Sequence, residues 1–453
     1  MLKNPQETTA RLATFASALS YEDIPFAARA HVKNILLDTV ACAFAGHASE
    51  ETRQIGGLAA ALGSGADSSV IGGGRLSLAG ATLLNGYLIT AVTMCDVYRP
   101  THTHVTPEVV PPALAVAERD GLTGRDLLVA LAAGLEVTAR VGLGSDYSAF
   151  RARGWHGPGV FGTFGAAAST GRLLRLDAAG MARAFGIAGS QASGTFAAWQ
   201  TPVIKFHQCR AALSGLMAAI LASQDFIATQ EFLTAKDGGL YSTYVDGAEP
   251  GRVVDGIGSR WELEQISLRL WPSGSPMQGI NTALFDLVER HVIDTDAIRA
   301  VRIALSPSVY DMHGKLPHYN GKFEALISAH YTAAAILRDR ELTMKQYDVE
   351  RLSDPLLRRE AEKIAFAADP ALQGVQAIAE IEMNDGTVYS ARCDHPRGSF
   401  ENPLSSDQLK TKFRTYAAPF RAESDIVKAV DMIERLEHQP SVKDLMGLLR
   451  SQP

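Results

Sequence analysis

Three long segments rich in alanine and glycine most constrain the fold of this 453-residue chain. They read GRDLLVALAAGLEVTARVG (124–142), GVFGTFGAAASTGRLL (159–174) and QCRAALSGLMAAILASQDF (208–226). Each has apolar or small residues on most faces of a helix, so that several neighbouring helices can approach it closely. These segments therefore predict the inner helices of a bundle, and the apolar periodicity of Ile24–Gly46 predicts a further helix.

The residue pattern changes near position 260. Strand-like alternation is found at Trp261–Trp271, Ala297–Val309 and the hairpin Val375–Cys393, and helical segments at Gln278–Arg290 and Lys322–Arg338 lie between them. We therefore predict a mainly α protein, with a large all-helical bundle domain over 1–260 and a smaller α+β lid domain over 261–404. The tail, 405–453, is again helical and is predicted to return to the bundle domain.

Composition argues against several classes of protein. The net charge is −6 and no long run of Lys or Arg occurs, so we expect neither nucleic acid nor a membrane surface as a partner. The apolar runs are shorter than the roughly 20 residues of a membrane span, and the first residues lack the apolar segment of a signal peptide. The four cysteines are scattered, which argues against a disulfide framework or a zinc site and favours the cytoplasm.

Polar residues gather directly ahead of one predicted helix. Asp96, Arg99, His102 and His104 lie within a short loop that leads into an apolar, alanine-rich segment ending near Glu118. A hydrophobic core needs none of these side chains at this place. A binding or catalytic site would use all of them.

The same arrangement recurs at two other predicted helix starts. His156 precedes Gly157, and Lys205 and His207 begin the third alanine-rich segment. Helix N-termini already favour anions through their free N–H groups and the helix dipole. Added amines and imidazoles would make a site for a carboxylate with several charges, and together with a phenol such as that of Tyr147 they could also transfer protons.

A metal site is an alternative use of the same loop. His102, His104 and Asp96 could hold one ion, but His-x-His without a cluster of carboxylates is a weak signal, and the nearby Lys and Arg residues repel a cation. A nucleotide fold is also disfavoured, because the glycines of GTFGAAASTG lie in a helical context rather than after a strand. We therefore predict a site without a metal ion.

Several of these segments together resemble the MmgE/PrpD family. They are ILLDTVACAFAG near the start, the His104 segment running into VVPPALAVAE, WHGPGVFGTFGAAAS, AFGIAGSQASG and KFEALISAHYTAAAIL. The resemblance spans nearly the whole chain. It implies a homodimer in which an active site lies between a helical domain and an α+β lid, acting without cofactors on di- or tricarboxylates.

The resemblance also suggests individual site residues. His104 and His156 match family histidines, and Tyr331 matches a tyrosine that follows the family's serine, here Ser328. Lys205 lies two residues before His207, whereas the family spacing is usually three. Arg269 stands where the family often has lysine. The histidine that often follows is absent, since Met277 and Gln278 occupy that place.

The acidic loop typical of the family's dehydratases is largely lost. Of its carboxylates only Asp96 remains, because Met94 and Val97 occupy acidic positions and Tyr98 replaces a threonine. Loss of water requires an acid for the leaving hydroxyl as well as a base for the carbon proton. The segment MCDVYRP therefore weakens the dehydratase interpretation, and the added Arg99 suggests a second contact for a carboxylate.

The leading prediction is a cofactor-independent epimerase that inverts a carbon next to a carboxylate in a dicarboxylic amino or imino acid, of the iminodisuccinate epimerase type. The alternatives are a dehydratase of 2-methylcitrate type, a decarboxylase of cis-aconitate type, and a carboxylate-binding protein without activity. The predicted catalytic residues are Lys205, His104, His156, Tyr147 and Tyr331, and the predicted substrate-binding residues are Asp96, Tyr98, Arg99, His102, His207 and Arg269.

Overall fold

The chain is mainly α-helical, as predicted. The computed structural model describes residues 7–315 and 317–451. The helices that precede residue 260 are α1 (Thr8–Ala18), α2 (Phe26–Gly46), α3 (Thr52–Ala61), α4 (Leu78–Ala91), α5 (Thr106–Asp120), α6 (Gly124–Leu143), α7 (Tyr147–Ala152), α8 (Gly157–Leu173), α9 (Ala178–Gly189), α10 (Val203–Ser223), α11 (Leu240–Tyr244) and α12 (Gly251–Val254).

The three alanine- and glycine-rich segments form α6, α8 and α10, and α8 packs against both of the others. Their small residues are required by this packing. A Cβ atom on Gly165 would lie 1.8 Å from Thr138 Oγ1 and 2.5 Å from the carbonyl oxygen of Gly134. The axes of α6 and α8 can therefore approach only because these positions lack side chains.

A four-stranded sheet and shorter helices follow the bundle. The helices are α13 (Gln278–Arg290), α14 (Pro307–Val309), α15 (Lys322–Ala325), α16 (Ala329–Asp339), α17 (Val349–Leu352) and α18 (Pro355–Glu362). The strands of the chain are β1 (Ser68–Ser69), β2 (Arg75–Leu76), β3 (Val97–Tyr98), β4 (Ile266–Ser267), β5 (Ile298–Leu305), β6 (Ile364–Ala368), β7 (Ala377–Met383) and β8 (Val388–Cys393). The larger sheet has the order β6-β5-β7-β8, with only β5 and β6 parallel.

The predicted hairpin is confirmed. β7 and β8 pair antiparallel, and the turn between them contains Gly386 at a φ of 87°, a backbone conformation that favours glycine. The helix predicted at Gln278–Arg290 is α13 with the same bounds. Of the strand predicted at Ala297–Val309, Ile298–Leu305 forms β5, whereas Pro307–Val309 forms the short helix α14.

Two other local predictions need correction. In Trp261–Trp271 only β4 is a strand, because the backbone N–H groups of Glu262 and Leu263 donate to the Glu136 carboxylate at 3.1 and 2.9 Å rather than to a neighbouring strand. The helix predicted at Lys322–Arg338 is interrupted between α15 and α16. Ser328 is extended there, and its hydroxyl accepts from the N–H of Tyr331 at 3.2 Å, which starts the second helix.

The tail forms three helices, α19 (Ser406–Ala417), α20 (Glu423–Glu434) and α21 (Val442–Leu449). α19 and α20 pack on α2, and α21 packs on α5, so the tail lies against helices of the N-terminal part. No helix in the described ranges is both long and apolar enough to cross a membrane. The four cysteines are free thiols in buried positions. A cytoplasmic location stays a prediction.

Candidate active site

The loop between β3 and α5 holds His104 in one orientation. The Asp96 carboxylate accepts from the N–H of Val105 at 2.9 Å, and from the N–H and hydroxyl of Thr106 at 3.0 and 2.6 Å, which caps the start of α5. The Asp96 carbonyl oxygen lies 2.6 Å from His104 Nδ1. Because a carbonyl only accepts, Nδ1 carries the hydrogen and Nε2 of the neutral ring presents a lone pair.

The environment keeps His104 neutral. Burial, with Arg269 and Lys205 nearby, holds the pKa of His104 well below its usual range. Burial also raises the pKa of Asp96, to about 6, against the effect of its three hydrogen bonds. Asp96 is predicted from the sequence to bind substrate, but both of its carboxylate oxygens accept hydrogen bonds from the start of α5. Its backbone carbonyl oxygen instead positions His104.

Lys205 lies in the first turn of α10 and is 5% exposed. Within residues 7–315 and 317–451 its amine has no hydrogen-bond or ion-pair partner. Burial lowers the pKa of Lys205 to about 7, and nearby Arg269 lowers it further, while Cys95 opposes this. The amine is therefore close to half protonated at neutral pH and can either donate or accept a proton.

A two-stranded ribbon brings Arg269 to the same place. β3 and β4 are antiparallel with Val97 opposite Ser267, and the same register places Cys95 opposite Arg269. The Arg269 guanidinium donates to the carbonyl oxygen of Cys95, to Cys95 Sγ at 3.2 Å and to the carbonyl oxygen of Ser273 at 3.2 Å. It has no carboxylate partner among the described residues.

Arg99 extends the positive charge toward the edge of the site. It is half-buried, and its Nε has no partner among the described residues. Burial and the nearby Arg269 lower the pKa of Arg99 to about 10. Neither Arg99 nor Arg269 forms an ion pair among the described residues, so both guanidiniums could bind an anionic ligand.

His156 and His207 form a pair near Lys205. His156 directly precedes α8, and its Nδ1 lies 3.2 Å from His207 Nδ1, so only one of these two nitrogens carries a hydrogen. Burial is the main reason that the pKa of His156 lies well below its usual range, and the nearby His207 and Lys205 lower this pKa further. Gly194 has a φ of 138°, and a Cβ there would lie 3.0 Å from His207 Nδ1, so this glycine leaves room for the pair.

One acidic residue at the site was not found from the sequence. Glu108, in the first turn of α5, is 0% exposed and neither carboxylate oxygen has a partner among the described residues. Burial and the nearby Asp96 hold the pKa of the Glu108 carboxyl well above its usual range. A glutamate in a first helical turn normally lies at the surface and interacts with the helix dipole, so its position alone does not indicate a site.

The other predicted site residues have different surroundings. The Tyr98 hydroxyl donates to Glu262 at 2.7 Å. His102 contacts the ring of Tyr147 at a centroid distance of 5.3 Å, and both line a surface groove; burial raises the pKa of Tyr147 to about 12. Tyr331 is buried beside Tyr347, and its hydroxyl donates to the carbonyl oxygen of Gln346. These surroundings give no support to the predicted substrate contact of Tyr98 or to the predicted catalytic contact of Tyr331.

The structure offers no preformed metal site in the ranges it describes. No group of three His, Cys, Asp or Glu side chains there is arranged to hold one ion. In particular, the Asp96 carboxylate is turned toward α5 and away from a shared position with His102 and His104.

The fold and the site define a class of protein: a mainly helical chain that buries unpaired cationic groups and neutral imidazoles where a small carboxylate could bind. The chain belongs to the MmgE/PrpD family. The model of the MmgE/PrpD N-terminal domain matches residues 10–252, and that of the C-terminal domain matches residues 271–438.

Named relatives cover nearly the whole chain. The cis-aconitate decarboxylase-like protein oryM of Aspergillus oryzae is 27% identical over 470 residues, covering 97% of both chains. The cis-aconitate decarboxylase of Aspergillus terreus (strain NIH 2624 / FGSC A1156) is also 27% identical, over 97% of this chain and 95% of that one. The cis-aconitate decarboxylase of Homo sapiens is 26% identical, over 92% of this chain and 89% of its own.

Proposed function

We propose that the protein is a decarboxylase acting on an unsaturated tricarboxylate of the cis-aconitate type. The observation that carries this proposal is that the buried Lys205 and Arg269 and the half-buried Arg99 have no carboxylate partner among the described residues. A ligand with several carboxylates would provide the ion-pair partners that these side chains lack. The names of the relatives support a decarboxylase, and they give no support to the epimerase preferred from sequence alone.

The reaction needs charge stabilisation and one proton. The bond between carbon and the departing carboxylate breaks, CO₂ leaves, and the electron pair shifts through the adjacent double bond to a carbon beside a remaining carboxylate. A proton then adds to that carbon, so one hydrogen replaces one CO₂. Cations that hold the remaining carboxylate stabilise the negative charge as it develops.

The site residues suit these two tasks. Arg269 and Arg99 would hold the carboxylates that remain, because both guanidiniums keep N–H groups free of protein acceptors. Lys205 would donate the proton from its ammonium form, which is substantially populated at neutral pH. His104 in its neutral form presents only a lone pair, so it can accept a hydrogen bond or proton but cannot donate from Nε2.

One observation keeps the epimerase as the second candidate. A Lys205 amine with a pKa of about 7 could equally remove a proton next to a carboxylate, with a second group returning it on the other face. The dehydratase has less support, because Asp96 is engaged in capping α5 and is not available to protonate a leaving hydroxyl.

Nuclear magnetic resonance in D₂O separates these candidates. The proposal expects cis-aconitate to lose CO₂ and to give a product with one deuterium at the newly protonated carbon. An epimerase would instead exchange deuterium into chiral dicarboxylates without releasing CO₂, and a dehydratase would produce an alkene from a hydroxy acid. Binding without any of these changes would indicate a carboxylate-binding protein and would contradict the proposal.

We also propose that the protein is a homodimer formed through the bundle helices. The outward face of α10 carries Phe206, Leu213, Met217 and Ile220, of which Met217 is 41% exposed. A second copy would cover this apolar face. Sedimentation at micromolar concentration should give twice the chain mass of 48.5 kDa, and a monomer would contradict this proposal.

A further inference from the structure

A lysine from the tail lies directly behind the site. Lys412, in α19, is 4% exposed, and its ammonium donates to Asp38 Oδ1 at 2.5 Å and to the carbonyl oxygen of Arg269 at 2.7 Å. It also lies 3.5 Å from both the carbonyl oxygen of Met94 and Cys42 Sγ. An ammonium has three hydrogens, so this side chain is fully used inside the protein.

The two carbonyl groups belong to the segments that build the site. Met94 precedes Cys95 and Asp96, and Asp96 in turn orients His104. Arg269 lies on the opposite segment, where its guanidinium contacts Cys95. One ammonium therefore joins both segments at the point where they present their side chains to the site.

The ion pair is poorly explained by stability alone. The Lys412 and Asp38 side chains are each 1% exposed, and removing two charges from water costs more free energy than a pair of this kind usually returns. Apolar residues of similar size could fill the same space. What apolar residues could not do is hold two backbone carbonyls, from segments 175 residues apart in sequence (269 minus 94), in one fixed relation.

We propose that Lys412 is a positioning residue of the active site, which sets the orientation of Arg269 and of the segment that carries Cys95 and Asp96. It does not touch the substrate. This inference rests on the proposed function, since it assumes that Arg269 binds a substrate carboxylate. The tail helix α19 thereby contributes to substrate affinity without contacting the substrate.

The test replaces Lys412 and its partner together. Lys412→Met alone would leave Asp38 buried without a partner and could prevent folding, so the main variant is Lys412→Met with Asp38→Asn. We expect this double variant to fold and to show a KM for the tricarboxylate raised about tenfold or more, with a smaller change in kcat. Its pH–rate profile should also shift, because a displaced Arg269 changes the pKa of Lys205.

A matched control is Arg140→Met with Glu136→Gln. This pair is equally buried and also binds backbone carbonyls, but those belong to residues 253–260. We expect the control to lower the melting temperature without raising KM. If the Lys412 double variant folds with an unchanged KM and pH profile, the positioning role is wrong.

The same experiment separates this inference from the proposed function. If Arg269→Ala raises KM and the Lys412 double variant does not, only the positioning role fails. If Arg269→Ala itself leaves KM unchanged, the carboxylate contact of the proposed function fails instead. Calorimetric titration with a non-reacting saturated tricarboxylate gives the same comparison as dissociation constants, without depending on turnover.

Discussion

The chain buries basic side chains in two regions, which differ in the hydrogen-bond and ion-pair partners that they provide for these side chains. Between α6 and the segment that leads to β4, Arg140 donates to Glu136 at 2.5 Å and to four backbone carbonyls, while Glu136 accepts two backbone N–H groups. At the candidate site, Lys205 is equally enclosed but has no partner in the described chain, and Arg99 leaves its Nε unpaired.

The difference shows what marks a site in this molecule. Burial of a charge is common to both regions, so burial alone is not informative. A buried charge without a partner costs free energy, whereas one that is paired and hydrogen-bonded does not need a ligand. The unpaired cations therefore indicate a place that an anion completes, and the paired ones indicate internal structure.

Loss of the Lys205 amine should have the largest effect on activity. We expect Lys205→Ala to reduce kcat by more than about a thousandfold, because it removes both the proton donor and a charge contact. Lys33, which pairs with Glu437 at the surface, is a suitable control, and Lys33→Ala should keep normal turnover. A Lys205→Ala variant with most of its turnover would assign the proton transfer to another group, with His156→Ala as the next variant to measure.

Loss of the paired Arg140 should affect stability instead. Arg140→Met leaves Glu136 buried without its partner, and we expect a loss of about 3 kcal/mol in the free energy of unfolding. Turnover per folded molecule should stay normal. By contrast Lys205→Met removes an unpaired charge and should stabilise the ligand-free protein, on the order of 2 kcal/mol at pH 7. Denaturant unfolding of both variants would show whether the two effects really have opposite signs.

Loss of Arg269 should act mainly on binding. We expect Arg269→Ala to raise KM about thirtyfold, with a smaller change in kcat, because a carboxylate contact acts in the ground state and the transition state alike. Arg260, which pairs with Asp255 and Glu262 near the surface, provides the matched control. An equal fall of kcat and kcat/KM would mean that Arg269 acts only in the transition state.

The pH dependence tests whether Lys205 donates or accepts the proton. Its pKa is about 7 in the folded chain, so a donor loses activity as the pH rises through 7, by about tenfold per unit above it. A base in an epimerase would gain activity over the same range. The free energy of unfolding gives an independent check. Between pH 7 and the usual lysine pKa, Lys205 binds more protons in the unfolded chain than in the folded chain. Its contribution therefore makes the protein more stable as the pH rises through this range.

Local patterns predicted much of this fold, and long-range pairing did not follow from them. The bounds of α13 and the turn of the β7–β8 hairpin depend on neighbouring residues, and both were predicted. The strand expected across Trp261–Trp271 was mostly wrong, because a carboxylate on α6 takes its N–H groups. Nothing in the local sequence reports a partner more than a hundred residues away.

The same limit applies to the site. His104, His156, Lys205 and Arg269 were predicted from their positions and the family resemblance, and the structure places them near one another. Glu108 and Lys412 were missed. Each is an ordinary polar residue of a helix in sequence, and only the packing of distant segments encloses it.

The central claim is that the unpaired cations are completed by a carboxylate ligand. Calorimetric titration with a saturated tricarboxylate near pH 7.5, in two buffers that differ in ionisation enthalpy, tests it most directly. We predict binding accompanied by net proton uptake, because an anion beside Lys205, His104 and His156 raises pKa values that burial has lowered. The Lys205→Met variant should take up fewer protons. Absence of binding, or binding that takes up no protons in the wild type, would contradict this account.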